Sequence, residues 1–101
     1  MINNETNDKI TKNLAEKYLN LTRKAREKVS MIENQTNEKK DMVVIMLEMA
    51  DNYISDANHF FQIQDYVRSY GAINYAHAWI DACVKLRLMD GHNDDELFTL
   101  P

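Results

Sequence analysis

Residues 65–91 read DYVRSYGAINYAHAWIDACVKLRLMDG and carry apolar side chains at steps of three and four, the period of an α-helix. The positions in this pattern are Val67, Tyr70, Ile73, Ala76, Ile80, Cys83, Val84 and Leu88. Asp65 is a typical helix N-cap, and Gly91 suits the left-handed position after a helix end. The pattern predicts a helix over about 66–90. Its small residues, among them Gly71, predict close approach to neighbouring helices.

Two more helical patterns precede this one. The second helix is predicted over about 38–63, from apolar positions at Met42, Ile45, Met46, Met49, Tyr53, Ala57, Phe60 and Ile63. The first is predicted over about 7–32, from Ile10, Leu14, Tyr18, Leu21, Ala25, Val29 and Ile32. Thr6 or Asn7 is the expected cap of the first helix. The polar run at residues 33–37 forms the first turn, and Gln64-Asp65 forms the second.

The scarcity of chain breakers indicates the class of fold. The 101 residues include two glycines and one proline, Pro101. β-Sandwiches and Rossmann-type domains need many tight turns, and phosphate-cradling loops need several glycines. The sequence therefore predicts an all-α protein, an up-and-down three-helix bundle. We expect a single domain over residues 1–101, with tails at 1–6 and 92–101.

The same composition bears on compartment and cofactors. Cys83 is the one cysteine, so no internal disulfide is expected, and it should be a buried thiol. No apolar run is long enough to span a membrane, and residues 1–8 lack the pattern of a secretory signal. We expect a cytoplasmic protein that needs no cofactor and does not bind a membrane.

Charge is distributed unevenly along the chain. Residues 1–40 contain nine lysines or arginines against six carboxylates, whereas residues 41–101 contain three against ten. A basic first helix that packs on two acidic helices explains this without a ligand. The alternative is a basic patch for nucleic acid, formed by Lys17, Lys24 and Lys28 with Arg23 and Arg26 beside them. No aromatic residue alternates with these cations to stack on bases.

Polar residues form one stripe on each of the last two helices. Asn52, Asp56 and His59 share a face of the second helix, and Asn74, His77 and Asp81 share a face of the third. A short turn makes the two helices antiparallel neighbours. We therefore expect a buried hydrogen-bond network that fixes their register. Its predicted members are Asn52, Asp56, Asn74, His77 and Asp81. The alternative is a metal site formed by Asp56, His59, His77 and Asp81.

Catalytic patterns are sparse. No nucleophile elbow, zinc-protease motif or P-loop is present. Arg87 and His92 have the R-x4-H spacing of helical RNases of the HEPN type. An accessory domain that acts on RNA or nucleotides would use Arg68, His77, Arg87 or His92. Whether the chain is an enzyme is left open, and a non-enzymatic role is favoured.

Two sequence blocks resemble a family of small archaeal proteins of unknown function, whose known members are three-helix up-and-down bundles. The first block is Tyr-x-x-Asp-Ala-x-x-Phe at residues 53–60, followed by the turn at Asp65. The second is Tyr-Ala-His-Ala-Trp-Ile-Asp-Ala at residues 75–82. The resemblance covers about residues 42–90. Gln64, Ala78 and Cys83 depart from it, since glycine is expected at these positions. The resemblance implies the fold and no activity.

Taken together, these patterns predict a helical module that binds another protein or itself. Val43, Val44 and Leu47 widen the apolar arc at the start of the second helix, more than one buried face requires. Tyr75 and Trp79 are aromatic residues that we expect to be partly exposed. These five residues are the predicted interaction surface, and the partner is expected to be another protein or a second copy.

Overall fold

The computed structural model describes residues 6–101. Within them it has three helices, α1 (Lys12–Lys28), α2 (Asn37–Gln62) and α3 (Tyr66–Lys85). Two short strands, β1 (Ser30–Met31) and β2 (Met89–Asp90), pair in antiparallel fashion with Ser30 opposite Asp90. The architecture is the predicted all-α three-helix bundle, and the strand pair is an addition that the helical patterns did not predict. Residues 1–5 of the predicted N-terminal tail lie outside the described residues.

Helix α1 is shorter than predicted at both ends. Its N-cap is Thr11, whose hydroxyl accepts a hydrogen bond from the Leu14 N–H at 3.1 Å, so the expected caps Thr6 and Asn7 are wrong. At the other end Val29 is extended, with φ −63° and ψ 141°. The apolar period continues through Ile32, but the backbone of Ser30 and Met31 bonds to β2 instead.

Helix α2 agrees with its predicted range of 38–63 to within a residue at each end. Thr36 is its N-cap and accepts from the Lys39 N–H. Gln64 follows the helix with φ 64°, and the Asp65 N–H donates to the Phe60 carbonyl at 2.9 Å. This is a Schellman motif, in which a left-handed residue lets the last carbonyls of the helix find donors.

Helix α3 begins as predicted, since the Asp65 carboxylate accepts from the Arg68 N–H. It ends at Lys85, so the predicted end at residue 90 is wrong. Arg87 has φ 60°, and the Leu88 N–H donates to the Cys83 carbonyl at 2.9 Å, which is a second Schellman motif. The residues after it are therefore free to form β2.

Both glycine predictions need correction. Gly91 is not in the left-handed region, and its role is steric. A Cβ there would lie 2.8 Å from Val84 Cγ1 and 2.9 Å from Phe98 Cδ2. Gly71 is exposed, and nothing lies within 4 Å of a Cβ built on it, so it allows no close approach.

Helix α3 is the central element of the bundle. It packs along both α1 and α2, whereas α1 and α2 touch each other over few residues. Six α3 residues are buried, twice as many as in either other helix: Ser69, Ile73, Ala76, Ile80, Cys83 and Val84. The C-terminal segment (residues 92–101), predicted as a tail, folds back onto this core, where Phe98 is only 4% exposed.

None of the helices described in residues 6–101 has an apolar stretch sufficient to cross a membrane.

Candidate functional site

An aromatic and apolar surface lies on the outer side of the α2–α3 pair. Helical spacing places it opposite the α3 residues that meet α1. We call it the open face and define it by Met42, Met46, Met49, Tyr53, Tyr75, Ala78, Trp79, Ala82 and Leu86. Tyr75 is 45% exposed and Leu86 63% exposed. An exposed apolar surface of this kind is a candidate interaction site.

Aromatic side chains hold the middle of the open face in place. The rings of Tyr53 and Tyr75 meet edge to face across the two helices, with centroids 4.5 Å apart. Tyr75 and Trp79 lie one turn apart on α3, with centroids 6.2 Å apart. Offset and edge contacts of this kind restrict the rings, so the surface is already ordered before any partner binds.

A shallow groove of about 200 Å³ runs beside these rings, lined by Met46, Tyr75, Ala78, Trp79 and Ala82. The Trp79 indole N–H is buried, and no acceptor for it lies within the part of the chain that the structure describes. A buried donor left without an acceptor costs about 1–3 kcal/mol. The groove is therefore apolar in its lining, while the Trp79 N–H is shielded from solvent.

Beneath the groove lies Cys83. Its Sγ is 3.7 Å from Met46 Sδ, and the residue is buried in the core. Burial raises the pKa of the Cys83 thiol, so the thiolate is disfavoured. This agrees with the prediction of a buried thiol and gives the groove a packed apolar floor.

Charge on the two outer edges differs in sign. The exposed stripe along α2 is Glu38, Asp41, Ile45, Glu48, Asn52 and Asp56, which contains four carboxylates and no cation. The matching stripe along α3 is Arg68, Gly71, Tyr75, Ala78, Ala82 and Lys85, which contains two cations and no carboxylate. The open face is thus bordered by an acidic edge and a basic edge.

The predicted interaction residues divide between core and surface. Val43 is 1% exposed and belongs to the core, so its assignment to a surface is wrong. Val44 is 53% exposed but lies two positions from Met42 and so on another side of α2. Leu47 packs against the core. Tyr75 and Trp79 lie on the open face, with Tyr75 exposed as predicted.

The other side of α3 carries the predicted polar stripe, and it faces α1 and the C-terminal segment rather than α2. The His77 Nε2 lies 2.8 Å from the Leu97 carbonyl oxygen, and Nδ1 lies 3.0 Å from Thr22 Oγ1. A carbonyl only accepts, so Nε2 carries the proton and Nδ1 accepts from the Thr22 hydroxyl. Asp81 accepts from the Thr99 N–H. We call this side, with the segment that covers it, the sealed side.

The predicted network between α2 and α3 is therefore wrong in its membership. Asn52 and Asp56 are exposed. The Asn74 amide donates to the Tyr70 carbonyl of its own helix at 2.8 Å. The face that α3 presents to α2 is instead made of small residues, Ala76 and Cys83 among them, and these leave no room for paired polar side chains.

The alternative metal site is not assembled either. Asp56 and His59 are exposed on α2, while His77 and Asp81 are engaged on the sealed side. In residues 6–101 no group of three or more His, Cys, Asp or Glu side chains is placed to hold a metal ion. The residues of the polar stripes have the helical spacing of metal ligands, but their side chains do not meet at one point.

The residues considered for RNA chemistry are spread along α3. Arg68 pairs with Asp65 at the start of the helix, at 3.5 Å. Arg87 follows the other end, about 28 Å away at 1.5 Å per residue. His92 lies beyond β2, where its Nε2 is 2.9 Å from Ser30 Oγ. These residues do not form one site. RNA binding stays a prediction, and the structure does not bring its candidate residues together.

The basic residues of α1 find carboxylates within the chain. Arg26 makes a two-point contact with Asp51 of α2, at 2.7 and 3.1 Å, and this hydrogen bonding raises the pKa of Arg26. Lys28 lies 3.8 Å from Asp94. A cleft of about 280 Å³ between α1 and α2 opens beside the Arg26 pair. The simpler explanation of the charge asymmetry, a basic helix on acidic neighbours, accounts for these contacts.

The sequence predicted residues 92–101 as a tail whose apolar end either folds back or docks on a partner, and in the structure it folds back. Asp94 caps a single helical turn by accepting from the Glu96 and Leu97 N–H groups. That turn delivers Phe98 to the core. The Lys85 ammonium donates to the Leu100 carbonyl at 2.8 Å. The signal was present as Asp94 followed by the apolar pair Leu97-Phe98, but apolar residues at a chain end do not reveal which surface they cover.

The fold and its contacts define a class, the up-and-down three-helix bundles with a central third helix. A family model described as a protein of unknown function, DUF357, matches residues 17–89, and the chain belongs to this family. The match confirms the resemblance to a small uncharacterised family, while the archaeal source that the resemblance implied stays a prediction. No curated protein and no solved structure matches the chain.

Proposed function

We propose that this chain is a non-enzymatic interaction module that docks a helical surface of another chain through the open face. The observation that carries the proposal is the apolar groove on α2 and α3, which Trp79 lines beside the 45% exposed Tyr75. The surface around it is apolar, aromatic and ordered by edge-to-face contacts. These are the properties of a helix-docking groove.

The shape of the groove favours a helical partner. Ala78 and Ala82 lie one turn apart at its border, and their small side chains let a facing helix approach closely. Tyr75 and Trp79 then provide the large side chains that carry most of the binding energy in protein interfaces. Methionines at Met42 and Met46 adapt their shape to what packs on them.

The distribution of reactive groups supports a binding role over a catalytic one. Both nitrogens of His77 are used within the fold, and Asp81 is used as well. Cys83 is buried under the groove with its pKa raised by burial. We place the module in the cytoplasm as part of the same proposal, where a single free thiol remains reduced.

Site-specific photo-crosslinking tests this proposal. A photoreactive phenylalanine derivative at Ala78, introduced in the protein's own cells, is expected to give a discrete protein adduct. The matched control is the same substitution at Lys24, an exposed position on α1 away from the open face. The proposal fails if position 78 gives no more adduct than position 24. Adding Tyr75→Asp to the crosslinking variant should remove the adduct, because it places a charge in the docking surface.

A further inference from the structure

We infer that the occupant of the open face is a second copy of this chain, related by a twofold axis that runs parallel to the helices and lays α2 of each protomer on α3 of the other. This inference rests on the proposed function and names its partner. It follows from the charges on the two edges of the open face and from the register of the two helices.

The first step is the register of α2 against α3 within one chain. Phe60 lies beside Arg68, with the guanidinium 5.8 Å from the ring centroid, and Tyr53 lies beside Tyr75. Met46 lies beside Cys83. The two helices are therefore antiparallel, and residues whose numbers add to about 128 share a level. Asp56 is thus one helical turn from the level of Arg68, and Asp41 is within about two residues of the level of Lys85.

An isologous face-to-face dimer can form with its twofold axis either parallel or perpendicular to the helices. With the twofold axis parallel to the helices, levels coincide and α2 packs on the partner's α3. The acidic edge then meets the basic edge at both ends of the interface. Asp56 lies within one helical turn of Arg68 of the partner subunit, and Asp41 lies near Lys85 of the partner subunit, whose ammonium uses one of its three protons to bond the Leu100 carbonyl. All neighbouring helices of the resulting four-helix core run antiparallel, as in up-and-down bundles.

In the other arrangement the twofold axis lies in the plane of the interface and is perpendicular to the helices. It lays α2 on α2 with the ends exchanged, so that Glu38 and Asp41 approach Asp56 of the partner subunit. Two edges with four carboxylates each would then face each other without a cation. Like charges brought together in an interface cost affinity and select against a partner. The acidic stripe of α2 therefore selects the first arrangement.

The dimensions of the face are consistent with a dimer. Helix α3 has 20 residues and is about 30 Å long. With α2 beside it at about 10 Å, the two helices present on the order of 600 Å² of flat surface. A standard interface buries about 800 Å² of accessible surface on each partner. A rough, side-chain-covered face has more accessible area than its flat projection, so the open face is large enough.

The test uses the purified full chain and sedimentation velocity over a range of protein concentrations. We expect a reversible monomer–dimer equilibrium, with the emission of Trp79, the one tryptophan of the chain, changing over the same concentrations. A strict monomer throughout overturns the inference. If the crosslinking at Ala78 then captures a different protein, the proposed function stands while the second copy is excluded. If it captures nothing, both fail.

Charge variants distinguish the two arrangements. Asp56→Arg is expected to weaken dimerisation roughly 3- to 10-fold, because it sets a cation against Arg68 of the partner subunit. Arg68→Asp should weaken it similarly, and the double variant should recover most of the loss. In the α2-on-α2 arrangement Asp56→Arg relieves repulsion, so tighter dimerisation of this variant overturns the inference. Asp56 is exposed, and circular dichroism checks that each variant folds.

Discussion

The two sides of α3 differ in whether the rest of the chain covers them. On the sealed side the C-terminal segment covers the helix, and the polar atoms of His77 and Asp81 are bonded to it. On the open face the rings of Tyr75 and Trp79 border a groove, and no acceptor among the described residues meets the Trp79 N–H. Both sides have the same helical period in the sequence. The chain itself supplies the cover for one and leaves the other uncovered.

This difference separates residues that close the fold from residues that the proposed function would use. His77 and Asp81, the side chains best suited to acid–base chemistry, form hydrogen bonds that stabilise the fold. The exposed residues of the open face are instead apolar and aromatic. A helical protein of this size buries a limited apolar area on folding, so a segment that covers one side of α3 stabilises the monomer. The exposed residues of the other side, Tyr75 and Leu86, contribute less to the stability of the monomer, although Met46 and Trp79 beside them pack against the core. Substitutions on the two sides should therefore have unequal effects on stability.

The largest expected effect tests the sealed side directly. Phe98→Ala removes a side chain that is 4% exposed and packed in the core, and we expect the free energy of unfolding to fall by about 3 kcal/mol. Leu86→Ala, at a position 63% exposed on the open face, should cost less than about 1 kcal/mol. Urea unfolding at a concentration too low for association measures both. Equal losses would mean that the two sides are not distinct.

The two glycines give a second, matched comparison. Gly91→Ala forces a Cβ to within 3 Å of Val84 and Phe98, and overpacking of this kind should cost about 2 kcal/mol. Gly71→Ala meets nothing and lies in the middle of α3, where alanine should stabilise the helix by about 0.5–1 kcal/mol. Thermal unfolding should shift in opposite directions. A neutral Gly91→Ala would show that the C-terminal segment does not pack tightly.

Much of the fold follows from the sequence because helix caps and periods are local. Thr36 and Asp65 are capping residues at clear breaks in the apolar pattern, and α2 agrees with its predicted range. The ends of α1 and α3 were misjudged because the apolar period runs on through Ile32 and Leu88. Backbone pairing between β1 and β2 decides those ends, and such pairing depends on residues almost sixty positions apart.

The candidate site was harder to predict for a related reason. A period shows that Asn74, His77 and Asp81 share a face, but not which neighbour covers that face. The short turn at Gln64-Asp65 suggested α2 as the neighbour. Because α3 is the central helix, α1 and the C-terminal segment cover that face instead. Tyr75 and Trp79 were predicted to be partly exposed aromatic residues, and Tyr75 is 45% exposed.

A third prediction asks whether the polar contacts of the sealed side matter. His77→Ala leaves the buried Thr22 hydroxyl and the Leu97 carbonyl without a partner, and we expect a loss of about 1–2 kcal/mol. His59→Ala is the control, since that imidazole is exposed on α2, and its effect should stay within about 0.5 kcal/mol. Chemical denaturation compares the two variants. A cost at His59 as large as that at His77 would mean that the contacts of His77 stabilise the chain no more than an exposed imidazole does.

The smallest expected effect lies in the turn that joins α2 to α3, next to the open face but part of neither side. Gln64 has φ 64°, a conformation that costs a residue with a side chain about 1 kcal/mol and glycine almost nothing. Gln64→Gly should therefore stabilise the chain by at most about 0.5 kcal/mol after the larger entropy of the unfolded glycine chain is counted. Gln62→Gly, two positions earlier and inside α2, should destabilise it by a similar amount.

These two glutamine variants also separate stability from association. Both positions lie outside the open face, so each should change the unfolding midpoint while leaving the monomer–dimer equilibrium of the purified chain as it was. A dimer that tightened with Gln64→Gly and weakened with Gln62→Gly would show that association follows the stability of the bundle rather than the chemistry of its surface. An unchanged equilibrium, set beside the effect of Asp56→Arg, assigns association to the residues of the open face and its edges.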